Sequence, residues 1–142
     1  MYYHGSKRSF TKIRRQQKVS SPDGPKVGRR NAIYLSPCLA FALFFAAKPA
    51  AGLSMMSRRK NIVYFEHLED FDLQENVFIY IVDPSGIPED KITRLGKFQI
   101  AVDMDEIEPV RVEVYKAGEI FQYFEVIKTK KEYLRRRSST AS

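Results

Sequence analysis

A chain of 142 residues with 44% hydrophobic and 13% aromatic side chains suits one domain with a single core. Its formal charge of +7 is segregated: residues 1–31 carry +8, 32–61 carry +4, 62–127 carry −10 and 128–142 carry +5, a pattern that suits a dinucleotide pyrophosphate or a nucleic-acid backbone. The lone Cys38 excludes an internal disulfide framework and a cysteine zinc cluster, and the longest apolar run, Cys38 to Ala47, is half of the roughly 20 residues that a bilayer crossing requires. With no basic-then-apolar leader at its start, the expected protein is cytoplasmic, with no membrane contact and no metal site.

Met1 to His4 reads as a short strand on its aromatic content, which Gly5-Ser6 then breaks. Residues 7–31 hold nine Lys/Arg, a Ser-Ser-Pro-Asp-Gly-Pro run and few apolar side chains, and so form a long basic loop. Ala32 to Leu35 is the second strand. Ser36 is placed to cap a helix that has Pro37 at its first position, runs to about Ala47 and stops at Pro49.

Residues 50–61 read as a loop, Asn61 to Phe65 as a strand and 66–75, with five acids, as an exposed acidic connection. Val77 to Val82 is nearly continuously apolar, as expected of a central strand covered on both faces. Asp83-Pro84-Ser85-Gly86 is a turn. Phe98 to Val102, Val110 to Tyr115 and Ile120 to Ile127 complete the strands, the last two joined as a hairpin through Lys116-Ala117-Gly118-Glu119. From Lys128 the chain turns basic and then Ser-rich, which predicts a disordered tail. The domain is therefore residues 1–127, of class α+β, on two packed, mostly antiparallel sheets with one main helix after the second strand.

Two features could carry chemistry. A His at the end of a strand, followed by Gly, offers a polar handle for a ribose hydroxyl and room for a ligand to approach the backbone. Tyr34 precedes a helix N-terminus, whose N–H groups favour an anion or a carbonyl, and its ring can stack on a flat heterocycle. Each taken alone also fits a purely structural role, as a strand end or a core aromatic.

In this order, Tyr3-His4-Gly5-Ser6 and Ile33-Tyr34-Leu35-Ser36, the latter leading into Ala40, Ala42 and Phe44-Phe45, resemble the NAD-binding half of ADP-ribosyltransferases of the His-Tyr-acid type. The resemblance implies that His4 bonds the adenosine-side ribose, the Gly5 backbone holds the nicotinamide amide, Tyr34 stacks on nicotinamide and Phe44 or Phe45 lines the same pocket. It places Tyr3, Ser6 and Ser36 among the NAD contacts. The run Ile79 to Val82, the turn Asp83–Gly86, the pair Glu89-Asp90 and Glu108-Pro109 are similar to the rifampin-modifying branch, which implies Asp90, or Glu89, as the catalytic acid. The polymerase and toxin branches carry a Glu where Gln99 stands here. An amide can bond a ribose hydroxyl but cannot stabilise an oxocarbenium ion by its charge.

The implied activity is cleavage of the nicotinamide–ribose bond of NAD and transfer of ADP-ribose to an unidentified acceptor. The alternatives are a catalytically inactive NAD, ADP-ribose or nucleic-acid binding module of the same fold, and an RNA 2′-phosphotransferase, which two histidines in the whole chain fit poorly.

Overall fold

A computed structural model describes residues 1–15 and 31–139. The strands are β1 (Tyr2–Ser6), β2 (Ile13–Arg14), β3 (Ile33–Leu35), β4 (Ser54–Ser57), β5 (Ile62–Phe65), β6 (Asn76–Val82), β7 (Ile92–Arg94), β8 (Ile100–Val102), β9 (Glu106–Ile107), β10 (Arg111–Lys116) and β11 (Glu125–Val126). The α-helices are α1 (Leu39–Ala47) and α2 (Lys130–Ser138), so the domain is of mixed α+β class with few helices. The strands form four ladders, not two sheets: β1-β6-β10, β3-β8-β7, β11-β5-β4 and β2-β9. Every pairing is antiparallel except β11 with β5.

The strand β6 is central in its ladder, and alternation along it explains its continuous apolar run. Val77, Ile79 and Ile81 face α1, in a core shared with Leu43, Phe44, Ile120 and Phe124. Tyr80 and Val82 face the opposite way, into a second core with Ile13, Ile33, Leu35, Ile100 and Val102. Both sides of the strand are thus removed from water, as its composition predicts. A bridge between Tyr3 and Ser36, with N–H···O distances of 2.7 and 2.9 Å, joins β1 to the end of β3. That junction brings the two ladders bearing the predicted site residues side by side.

Several local expectations change. Gly5 and Ser6 continue β1 instead of breaking it. The cap of α1 is Cys38 rather than Ser36, and Pro37 lies outside the helix, because the Ser36 hydroxyl is occupied within the turn: it accepts the Cys38 N–H at 3.0 Å. The segment expected as a loop over 50–61 contains β4, which pairs with β5 across a turn where Asn61 adopts a φ of 56°. Asn tolerates this left-handed conformation better than most residues.

The hairpin expected at Lys116–Glu119 does not form. Glu119 instead accepts the Lys116 N–H at 2.7 Å, and residues 117–122 wind into a 3₁₀ helix that buries Ala117 and Ile120 against α1. The tail expected to be disordered from Lys128 folds as α2 through Ser138. Thr129 Oγ1 accepts the Glu132 N–H at 3.2 Å, and Tyr133 is fully buried beside Ile62 and Ile127. Of the basic loop expected over 7–31, residues 7–15 are described and carry β2, while 16–30 lie outside the described residues. Among the described residues no helix is long and apolar enough to cross a membrane.

Candidate functional site

A cleft of about 250 Å³ opens where β1, β3 and α1 meet. It is lined by Tyr3, His4, Gly5, Tyr34, Leu35, Ser36, Phe41, Ala42, Phe45, Lys48 and Gln99. The bridge between Tyr3 and Ser36 sets the wall, and α1, leaving β3 directly after it, supplies the aromatic side.

His4 sits on β1 opposite Tyr80 in the β1–β6 register and is almost completely buried. Its Nδ1 lies 2.9 Å from the Tyr34 carbonyl oxygen. A carbonyl only accepts, so Nδ1 carries the proton and donates it. Burial lowers the His4 pKa below its ordinary value of 6.5, and the bond to Tyr34 opposes this with a smaller effect. The neutral ring therefore keeps Nε2 as an acceptor. Behind the ring, Phe10 and Tyr80 stack at 4.3 Å, and the Tyr80 hydroxyl accepts the Phe10 N–H at 2.8 Å and donates to the Arg8 carbonyl at 2.7 Å.

Gly5 is required by packing before any ligand is considered. A Cβ there would strike the Ala42 carbonyl oxygen and stand 2.9 Å from the Ala46 Cβ. The missing side chain lets α1 lie directly on β1 and brings the helix face with Phe41, Phe45 and Lys48 over the strand. Phe41 and Phe45 meet at 4.8 Å between ring centroids, and the Lys48 ammonium lies 5.4 Å from the Phe45 centroid. The spacing 41, 45, 48 is one face of a helix, a signal present in the sequence that the reading by motif passed over.

Of the ten expected site residues the cleft gathers seven: Tyr3, His4, Gly5, Tyr34, Ser36, Phe45 and Gln99. The other three lie elsewhere. Ser6 Oγ accepts the Arg8 N–H in an exposed turn at 3.0 Å. Phe44 points the other way along α1 into the core, 5.8 Å from Phe65. Asp90 is exposed on a 3₁₀ turn, and its neighbour Glu89 pairs with Arg94 at 3.2 Å.

The register explains the split. In the ladder β3-β8-β7, Leu35, Ile100 and Arg94 lie at one level, so Gln99 falls beside Ser36 at the cleft. Asp90 precedes the opposite end of β7, in a 3₁₀ turn two strands across the ladder from β3. Among the described residues lining the cleft none is a carboxylate, and Lys48 is the one charged side chain.

Comparison with family models, curated proteins and solved structures finds no match to this chain.

Proposed function

We propose that the cleft binds NAD and that the protein is an ADP-ribosyltransferase with a nicotinamide subsite between β1 and α1. The observation that carries the reading is the hydrogen bond from His4 to the Tyr34 carbonyl, which unites the two sequence motifs in one cleft. Tyr34 and Phe45 supply ring faces for nicotinamide, the Gly5 backbone lines the subsite, His4 Nε2 accepts a ribose hydroxyl, and Lys48 supplies the positive charge for the pyrophosphate.

In the reaction the bond from ribose C1′ to the nicotinamide nitrogen breaks, and nicotinamide leaves with the electron pair. A lone pair of the acceptor then bonds C1′ and the acceptor releases its proton. The test is nicotinamide release from NAD by wild type, His4→Ala and Asp90→Ala. The reading expects release by wild type, loss of at least tenfold in His4→Ala, and a rate within about twofold of wild type in Asp90→Ala. Equal rates in wild type and His4→Ala overturn it.

One observation favours a second reading, a module that binds NAD or ADP-ribose without transfer: among the described residues the cleft is lined by the Gln99 amide and by no carboxylate. That reading expects NAD to raise the melting temperature of wild type while no nicotinamide is released.

A further inference from the structure

The structure joins two basic triplets that are far apart in sequence. Arg58-Arg59-Lys60 forms the turn between β4 and β5, and Arg135-Arg136-Arg137 forms the last turn of α2. They meet through Glu125. Its N–H donates to the Asn61 carbonyl at 2.9 Å, and its carboxylate takes the Arg136 guanidinium in a two-pronged pair at 2.8 and 3.0 Å. Arg58 is held in the same corner, bonded to the Asn61 side chain and lying 5.7 Å from the Phe124 ring.

Residues 58–60 and 125–138 together hold nine Lys/Arg and two Glu, and both Glu are already in ion pairs, with Arg136 and with Arg135. This end of the molecule is strongly positive, although residues 62–127 as a whole carry −10.

We infer that this corner is a docking surface for a nucleic-acid phosphate backbone. The chemistry separates that partner from the other polyanions. A protein interface needs an apolar centre, and none of the large exposed apolar side chains among the described residues falls in 58–60 or 125–138. A membrane-surface helix needs an outward apolar face, whereas the apolar side of α2 is Tyr133, sealed into the protein beside Ile62. What α2 presents outward is charge, which is all that backbone binding requires. Contacts to the phosphate backbone carry no sequence information, so binding is independent of base sequence. The inference is independent of the reading of the cleft.

The test titrates labelled mixed-sequence RNA and duplex DNA of equal length into the full chain and into Arg59→Glu/Lys130→Glu/Lys131→Glu. These three side chains are exposed, and acids in the first turn of α2 favour the helix dipole, so the variant is expected to melt with wild type. Wild type is expected to bind, losing affinity steeply between about 50 and 200 mM salt. The variant is expected to bind at least tenfold more weakly at the lower salt, with its slope of log affinity against log salt reduced by about 2 for single-stranded RNA. Whichever of RNA or duplex binds tighter identifies the source of the backbone. Undiminished binding by the variant, no binding by wild type at low salt, or equal affinity for polyglutamate or anionic lipid vesicles overturns the inference.

Discussion

The packing of α1 on β1 depends on one position, and Gly5→Ala tests it. The new methyl would stand 2.9 Å from the Ala46 Cβ, where ordinary contact begins at 3.4 Å, so the helix must retreat by about 0.5 Å to clear Ala46 alone. It must move further to clear the Ala42 carbonyl oxygen, which is backbone and cannot rotate away. Overpacking of a well-filled core costs about 1–3 kcal/mol, and because backbone has to shift here the expected cost is about 3 kcal/mol. For a chain of this size that corresponds to a fall of about 10 °C in Tm. The same retreat carries Phe41, Phe45 and Lys48 off the cleft, so NAD affinity should fall at least tenfold. The matched control is Gly86→Ala, where nothing lies within 4 Å of the added carbon and the change should stay within about 0.5 kcal/mol. Thermal melts followed by calorimetric NAD titration read both effects. A Gly5→Ala protein that melts with wild type and binds NAD equally refutes the packing argument.

Neighbouring phenylalanines on α1 should separate stability from binding. Phe44→Ala, in the core, is expected to cost about 3–5 kcal/mol in denaturant unfolding, whereas Phe45→Ala, 43% exposed on the cleft, should cost under about 1 kcal/mol yet weaken NAD about tenfold. Because burial lowers the His4 pKa, the unfolded chain binds more protons than the fold as the pH drops below 6.5. Stability from this group is therefore fully present above pH 6.5 and declines below it by at most about 1.4 kcal/mol per pH unit, and His4→Gln should lose that part of the slope in unfolding titrations. Introducing a carboxylate into the cleft with Gln99→Glu should raise nicotinamide release at least ~10-fold, measured at saturating NAD, and an unchanged rate would show that Gln99 does not face the reacting carbon.

What could be read from the sequence depended on whether a segment's local pattern or its distant partners decided its structure. The run Val77 to Val82 announced a strand buried on both faces because both cores draw on it. The motifs around His4 and Tyr34 announced a shared cleft, and residues of both line it. The segment Ser54–Ser57 is a strand only because β5 lies beside it. Residues 117–122 had a plausible turn at Gly118, but Glu119 captures the Lys116 N–H and Ile120 finds a place under α1. The tail read as disordered on its charge, since a single fully buried tyrosine fixes α2 in place. Its T-x-x-E start, Thr129 to Glu132, was nevertheless a legible helix signal. Asp90 lies outside the cleft for a reason no motif reveals: the pairing of β7 with β8 sets it at the far end of the ladder from Gln99.

The most direct test of the NAD cleft is a backbone and side-chain chemical-shift map recorded with and without NAD. The account predicts perturbations concentrated at Tyr3, His4, Gly5, Tyr34, Phe45 and Lys48, with Phe44 and Asp90 little changed. A map silent at those six positions, or centred on another face of the molecule, contradicts it.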